Sequence, residues 1–268
     1  MKRVLFIILL FSVLYGCRTV PITGRRQLSF IPASTMNSLA ATSFQEIRST
    51  SNLSTDVEKV AMLERVGNRI RRAVEDYFAA NNQSSALRDF EWEFILIDNP
   101  TINAWAMPGG RIAFYTGILP VCKNEDGIAV VMGHEIAHAV ANHSSERMSQ
   151  ALLQQMGGMA LATAMREQPE MTRSLAMMAF GVGSTVFGIL PYSRRHEYEA
   201  DRLGLIFMAM AGFDPHEAPR FWERMMALSG NQSASDFLST HPSNANRIQE
   251  LKRRIPEAMK HFRPYEGQ

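Results

Sequence analysis

Two histidines four residues apart constrain this chain of 268 residues more than any other feature. His134 and His138 enclose Glu135 in the run His134-Glu135-Ile136-Ala137-His138, which lies in a stretch predicted to be helical. Residues at i and i+4 share one face of a helix, so both imidazoles can bind the same metal ion. Glu135 lies at the edge of that face, where it can hold a metal-bound water. This pattern is typical of zinc peptidases, whereas two solvated surface histidines are the simpler alternative.

A third ligand is needed, because catalytic zinc sites use three protein ligands. The run Glu197-Tyr198-Glu199-Ala200-Asp201 lies on a second predicted helix, and Glu197 and Asp201 share one face of it. One of these carboxylates can bind the metal, while the other accepts the second N–H of a ligating histidine and fixes the ring orientation. Glu199 is expected to point elsewhere, as a surface or salt-bridging residue. A solvated acidic pair flanked by arginines is the alternative.

His143 follows His138 by five residues and is a further candidate ligand. On a continuous helix it lies about 140° further round, so its side chain is expected to point away from the metal. The metzincin pattern requires glycine at 141 and histidine at 144. This chain has Ala141 and Ser144 there, which excludes the metzincin class.

The N-terminal segment is predicted to be a signal peptide. A basic pair precedes the apolar run Val4–Tyr15. As a helix this run reaches roughly 18 Å, which is too short for the ~30 Å hydrocarbon core of a membrane. The run ends in Leu14-Tyr15-Gly16-Cys17, which resembles a bacterial lipobox. We therefore expect a signal peptide over residues 1–16 and lipidation of Cys17 by palmitate. An ordinary signal peptide with an unmodified cysteine is the alternative.

Resemblance to bacterial lipoprotein sorting extends this expectation to a location. Arg18, rather than an aspartate, follows the predicted lipidation site, which implies transfer to an outer membrane. A lipid anchor tethers a protein without making it span the membrane, so the chain is expected on the periplasmic face. Residues 17–52 are rich in Ser, Thr, Pro and Arg and show little periodicity, and we interpret them as a lipidated tether.

Charge and cysteine content exclude several classes of protein. The chain carries 28 Lys and Arg against 26 Asp and Glu, and two of the basic residues, Lys2 and Arg3, lie in the predicted signal peptide. The remaining chain is balanced, which gives no electrostatic reason to bind nucleic acid. Two cysteines, of which Cys17 is one, cannot build a disulfide framework. With 46% hydrophobic residues, the chain can bury a sizeable core.

The remaining pattern predicts one metallopeptidase domain over residues 53–268, of the α+β class and mostly helical. A capping box at Thr55–Glu58 opens a helix. Three short strands within residues 90–115 form one small sheet. From the N-cap Asn124, a helix runs to about Gln150 and carries the histidine pair.

The segment Ser174–Leu190 carries no charged residue over seventeen positions. Such a segment could insert into a membrane. However, it is at the lower limit of the length that spans a bilayer, and it contains three glycines. We therefore favour a helix that is buried in the protein or lines its cleft.

Four sequence blocks in a fixed order resemble the HtpX and CaaX-prenyl-protease family of gluzincin metallopeptidases. The four blocks are Asn103–Gly110, His134–His138, Glu197–Asp201 and Thr240–Ser243 followed by Arg247. The resemblance covers roughly residues 50–255. Within the family, the chain is similar to the soluble periplasmic branch that includes the lipoprotein LoiP and the peptidase domain of BepA. It implies a zincin-like fold with a small β-sheet packed on the active-site helix.

The resemblance implies a role for the residues of both helices. The ligands of one zinc ion per chain would be His134, His138 and Glu197. Glu135 would act as the general base that removes a proton from the attacking water. Asp201 would hold one of the ligating imidazoles in its orientation.

The two outer blocks receive roles in the same way. His241 and Arg247 would lie near the metal and stabilise the tetrahedral intermediate, and His241 could approach the zinc in a closed state. From the residues alone, His241 belongs to a turn before a helix, and Arg247 is a charge on the surface of that helix. Asn103, Ala104 and Trp105 would belong to an edge strand that pairs with an extended substrate.

The implied function is that of a zinc-dependent metalloendopeptidase of the bacterial cell envelope. Its substrates and partners would be unfolded, misfolded or damaged envelope proteins, which it would cleave in protein quality control. Its contact with the membrane would be the lipid anchor, and no nucleic acid partner is expected. Two alternatives stay open: a lipid-anchored chaperone-like binding factor with latent proteolysis, and a metal-dependent amidase that acts on cell-wall peptides.

Overall fold

Helices make up most of the computed structural model, which describes residues 17–264. The predicted signal peptide, residues 1–16, lies outside the described residues. The helices are α1 (Ala33–Thr50), α2 (Val57–Ala80), α3 (Leu119–Cys122), α4 (Glu125–Val140), α5 (His143–Ala164), α6 (Glu170–Gly183), α7 (Leu190–Met210), α8 (Glu217–Ala227), α9 (Ser235–Thr240) and α10 (Ala245–Met259). The strands are β1 (Cys17–Thr19), β2 (Arg26–Leu28), β3 (Glu93–Ile97), β4 (Ala104–Met107) and β5 (Arg111–Tyr115). A π-helical turn, Ser184–Ile189, joins α6 to α7. The expected α+β class, mostly helical, is confirmed.

The expected small sheet consists of β3, β5 and β4, in that spatial order. β5 pairs in parallel with β3 and antiparallel with β4, so β4 lies at one edge of the sheet. α4, which carries the histidine pair, contacts both β4 and β5, so the sheet packs on this helix as expected. β1 and β2 form a separate antiparallel hairpin that the sequence analysis did not predict.

α4 is the most deeply buried helix of the site. Every residue from Gly127 to Val140 is buried, which rules out two solvated surface histidines. α4 packs along α7, and Gly133 meets Gly204 at their contact, where a Cβ on Gly204 would lie 2.9 Å from the backbone nitrogen of His134. A methyl group there would push two close-packed backbones apart, so glycine is required. This close approach brings the carboxylates of α7 next to the imidazoles of α4.

Two N-caps set the starts of the helices that frame the site. Asn124 caps α4 as predicted, and its side chain accepts the backbone N–H of Gly127 at 2.9 Å. α2 is capped by Asp56, which accepts the backbone N–H of Lys59 at 3.1 Å. The cap of α2 therefore lies one residue later than the predicted capping box, which placed it at Thr55.

The helix that carries the histidines ends at Val140, so the expectation that it continues to about Gln150 was wrong. Asn142 has a φ of 55°, in the left-handed region that asparagine adopts more readily than most residues. α5 begins at His143, directly after this break. Because the helix is interrupted, the position of His143 can no longer be calculated from that of His138 by helical geometry.

Residues 17–52 are folded, and their interpretation as a tether was wrong in that respect. α1 places Met36, Ala40 and Phe44, four residues apart, on one buried face. Phe44 packs against β3 and β5, and its ring meets that of Trp105 edge-on with centroids 6.0 Å apart. The serines and threonines between these positions hid the apolar spacing. Lipidation of Cys17 stays a prediction.

The described side chains of the uncharged segment Ser174–Leu190 are exposed or half-buried, so the expectation of a buried helix was wrong. The segment does line a cavity of about 330 Å³, through Phe180, Ser184, Gly188 and Ile189. Its exposed large apolar side chains recur about once per helical turn. They are Leu175, Met178, Val182, Val186 and Leu190. An uncharged helix is buried only where another element reaches it, and these side chains remain in contact with solvent. Among residues 17–264, no helix has both the length and the apolar character that crossing a bilayer requires.

The packing of α1 can be tested by truncating its central aromatic side chain. Phe44→Ala should destabilise the protein by about 3–5 kcal/mol, because a fully buried phenyl group is lost and a cavity remains. Leu39→Ala is the matched control, since Leu39 lies on the same helix and is 60% exposed. Urea denaturation of both variants measures the difference. Equal unfolding midpoints would contradict the packing of α1 on the sheet.

Candidate metal centre

Four side chains bring one donor atom each into a cluster in which all donors lie within 4.8 Å of one another: His134, His138, Glu197 and His241. The Nε2 atoms of His134 and His138 are 3.0 Å apart, and each lies 3.3 Å from a carboxylate oxygen of Glu197. Zinc–nitrogen bonds of about 2.0–2.1 Å place tetrahedral donors about 3.3 Å apart. The two imidazoles and the carboxylate therefore fit a zinc-sized cation.

His241 lies within contact distance of the candidate ligands, whereas the sequence analysis placed it near the metal. It follows α9, and its Nδ1 atom lies 3.1 Å from Nε2 of His134 and 2.9 Å from a carboxylate oxygen of Glu197. The other ring nitrogen, Nε2, lies 3.5 Å from Glu135. The structure thus has His241 in the position of a fourth donor. That this arrangement is a closed state stays a prediction.

Glu135 lies beside the cluster and does not contribute a donor to it. Its side chain is buried, and burial raises the pKa of its carboxyl group above the ordinary value. The nearby imidazoles of His241 and His134 act against this rise. A carboxylate with a raised pKa is better suited to accept a proton near neutral pH.

Asp201 holds the far side of His134. One of its oxygens lies 3.0 Å from Nδ1 of that imidazole, and its two oxygens accept hydrogen bonds of 2.7 Å each from the guanidinium of Arg247. The same guanidinium stacks on Trp222 at 3.5 Å from the ring centroid. Asp201 therefore lies where the sequence analysis expects it.

Arg247 lies near the candidate ligands, as expected, with its Nη2 atom 3.4 Å from a carboxylate oxygen of Glu197. It is buried and also bound to Asp201, and it is absent from the residues that line the cleft beside the metal cluster. Its part in stabilising a tetrahedral intermediate stays a prediction. The buried carboxylate of Asp201 attracts the guanidinium, since an unpaired charge in the interior is costly.

The pKa values in the cluster follow from burial and charge pairing. Burial alone would lower the pKa of His134, but hydrogen bonds with Asp201 and Glu197 outweigh it and raise this pKa to about 9. Burial would raise the pKa of Glu197, but the adjacent histidines His241 and His138 hold it well below its ordinary value. Glu197 is therefore ionised at neutral pH and available to bind a cation.

A cleft of about 680 Å³ opens onto the cluster. Glu135, His138 and His241 line it on one side. The edge strand β4 and the residue before it line it on the other, which includes the predicted substrate-binding residues Asn103, Ala104 and Trp105. Two of the candidate donors, His138 and His241, thus meet the candidate base and an unshared strand edge in one cavity.

The sequence analysis missed a second set of buried polar residues behind His138. His143 contributes no donor to the cluster, as expected. Its Nδ1 nevertheless lies 2.8 Å from Nδ1 of His138, a contact that the geometry of a continuous helix did not predict. The cause is the helix break at Asn142. Glu199 does form a salt bridge, as one expectation had it, but it is buried rather than at the surface, and it pairs with Arg25. The one local feature of the sequence that could have indicated these contacts is Asn142, the asparagine that interrupts the helix.

Metal donors, a candidate base and a cleft occur together in this site, an arrangement that is typical of metallopeptidases. The model for Peptidase family M48 matches residues 64–255, and the chain belongs to this family.

Individual relatives have mitochondrial and bacterial sources. The chain is 41% identical over 175 residues to the mitochondrial metalloendopeptidase OMA1 of Schizosaccharomyces pombe, which covers 65% of this chain and 50% of the relative. It is 31% identical over 265 residues to OMA1 of Bos taurus, covering 94% and 49%. It is 29% identical over 168 residues to the beta-barrel assembly-enhancing protease of Escherichia coli, covering 61% and 34%. The chain spans about half the length of these OMA1 proteins.

The contact between Asp201 and His134 predicts a measurable effect on metal affinity. Asp201→Asn should lower the affinity for Zn²⁺ about 10- to 100-fold, because the imidazole loses a charged acceptor that orients it. Competition with a chromophoric chelator measures the affinity. Asp76→Asn is the matched control, since Asp76 is exposed on α2. Equal affinities for the two variants would show that Asp201 does not support the ligand.

Proposed function

We propose that the protein is a zinc-dependent metalloendopeptidase that cleaves unfolded or damaged proteins. The observation that carries this proposal is the convergence of His134, His138 and Glu197 in one cluster, of which His138 lines the cleft that β4 borders. Zinc held by these three side chains would supply a Lewis acid that polarises a peptide carbonyl and acidifies water. The names of the relatives, metalloendopeptidase and protease, support the same activity.

The residues of the chain divide the remaining chemistry. Glu135 takes the proton of the attacking water and passes it to the leaving amine, for which its raised pKa is suited. His241 occupies a donor position in the cluster, so it has to withdraw before a substrate can take that place. After withdrawal it is close enough to the cleft to donate a hydrogen bond to the developing oxyanion. Arg247 acts indirectly, by holding Asp201 against His134.

The edge strand determines which substrates fit. β4 pairs with β5 on one side, and its other side borders the cleft. An extended peptide can add to such an edge through main-chain hydrogen bonds, which do not depend on the side chains of the substrate. Only an unfolded segment presents free main-chain groups over several residues. Unfolded or damaged proteins are therefore the substrate class that we propose.

We place the protein in the bacterial cell envelope, with a lipid on Cys17 that anchors it to the periplasmic face of the outer membrane. The lipobox-like sequence before Cys17 supports this location. Because Cys17 begins β1 of the folded part, the anchor would hold the catalytic domain directly at the membrane surface. The envelope proteins within reach of that surface would be its substrates, in a quality-control role.

A lipid-anchored chaperone-like factor with latent proteolysis is the second candidate. The placement of His241 among the metal donors favours it, since a fourth protein ligand would leave no corner of a tetrahedral site for a substrate. Such a factor would suppress aggregation of an unfolded client protein without cleaving it.

Cleavage of casein by the purified, zinc-loaded chain tests the proposal. The wild-type chain should degrade casein, and Glu135→Gln should abolish turnover while the zinc content stays at one ion per chain, because this residue moves protons and binds no metal. Glu64→Gln, on the exposed face of α2, is the matched control and should be fully active.

Two other outcomes would contradict endopeptidase activity on proteins. Suppression of client aggregation without cleavage, by both wild type and Glu135→Gln, would favour the chaperone-like factor. Cleavage of peptidoglycan peptides with casein left intact would favour an amidase of the cell wall.

A further inference from the structure

A chain of buried contacts leads from the metal cluster to the N-terminal hairpin. Nε2 of His138 faces the cluster, and its Nδ1 lies 2.8 Å from Nδ1 of His143. Nε2 of His143 lies 3.0 Å from a carboxylate oxygen of Glu199. Nε of Arg25, in the loop between β1 and β2, donates to the same oxygen at 2.7 Å. We infer that Arg25, Glu199 and His143 position the metal ligand His138, and we call these three residues the hairpin relay.

The hydrogen positions along the hairpin relay follow from one condition. If Nε2 of His138 binds a metal, the hydrogen of this imidazole must be on Nδ1, from which it can be donated to Nδ1 of His143. His143 then carries its own hydrogen on Nε2 and donates it to Glu199, which as a carboxylate can only accept. Every contact therefore has one donor and one acceptor. The arrangement favours binding of the metal through Nε2 of His138.

The far end of the hairpin relay is fixed by a second carboxylate. The two Nη atoms of Arg25 donate to the two oxygens of Glu146 at 3.0 and 2.7 Å. Glu146 also lies 2.8 Å from Nε2 of His196, whose ring stacks on that of His143 with centroids 4.3 Å apart. The side chains of Arg25 and Glu199 are 7% and 6% exposed, so water competes little for these bonds. His143 is thus held at both ring nitrogens and on one face.

The hairpin relay parallels the support of the other imidazole ligand. His134 rests on Asp201, a carboxylate neutralised by Arg247. His138 rests on Glu199, a carboxylate neutralised by Arg25, with one imidazole between them. Arg25 lies outside residues 64–255, the part that the family model matches. The N-terminal hairpin therefore takes part in shaping the metal site, although it contributes no residue to the cleft beside the metal cluster.

This inference rests on the proposed function in one respect only, that His138 binds a metal. Its test uses Zn²⁺ affinity by chelator competition and the visible spectrum of the Co²⁺-loaded full chain, which reports ligand geometry. Arg25→Ala and Glu199→Gln should each lower Zn²⁺ affinity about 10- to 100-fold and change the Co²⁺ spectrum. His143→Leu should do the same. His143→Asn should restore most of the affinity, because its side-chain oxygen can accept the hydrogen from His138.

Glu217→Gln is the matched control, since Glu217 is buried and its hydrogen bond from Arg224 at 2.7 Å is outside the metal cluster. It should lower the melting temperature but leave Zn²⁺ affinity and the Co²⁺ spectrum unchanged. If the variants of Arg25, Glu199 and His143 affect the metal no more than Glu217→Gln does, the hairpin relay is overturned. An Arg25→Ala chain that fails to fold leaves the decision to Glu199→Gln and to the comparison of the two His143 variants.

The proposed function and the hairpin relay fail in different ways. A chain that binds Zn²⁺ with the expected dependence on Arg25 and Glu199 but does not cleave casein refutes the peptidase activity and supports the relay. A chain that cleaves casein with unchanged metal affinity in these variants refutes the relay alone. A wild-type chain with no measurable Zn²⁺ or Co²⁺ binding overturns both.

Discussion

The close contact between α4 and α7 is the constraint on which the site depends. Gly133 and Gly204 let the two backbones approach until a single added methyl group would collide with main-chain atoms. At that separation the carboxylates of one helix reach the imidazoles of the other without long, flexible side chains. The donor atoms of His134, His138 and Glu197 are therefore held by helices rather than by loops, which is the condition for a metal site of defined geometry.

The same contact places many charged groups where water cannot reach them. A buried carboxylate or guanidinium is tolerated only when it is paired and fully hydrogen-bonded. Three carboxylates in and near the site are paired with arginines in this way. Asp201 pairs with Arg247, and Glu146 and Glu199 share Arg25. Such pairs add little net stability compared with apolar packing. They do restrict the imidazoles to one orientation, which a metal centre requires.

The N-terminal segment shows how an element outside the matched family region can shape the site. α1 covers one face of the sheet through Phe44, and the hairpin before it delivers Arg25 to the buried carboxylates. In contrast, the helical pair α5 and α6 leaves an apolar stripe in contact with solvent, including Leu175 and Met178. The folded part thus has a polar, tightly paired centre and one apolar outer surface.

Local spacing alone determined the metal-binding motif, the shared face of Glu197 and Asp201, the positions of the strands in the small sheet and the cap at Asn124, because each depends on residues within one element. The lipid anchor at Cys17 is also read from local sequence and stays a prediction. Only the tertiary structure decided the helix break at Asn142, the partners of Arg25 more than a hundred positions away, and the exposure of Leu175 and Met178. The physical reason is that helical periodicity propagates only along an uninterrupted helix. Burial and charge pairing depend on which distant element arrives at a given surface.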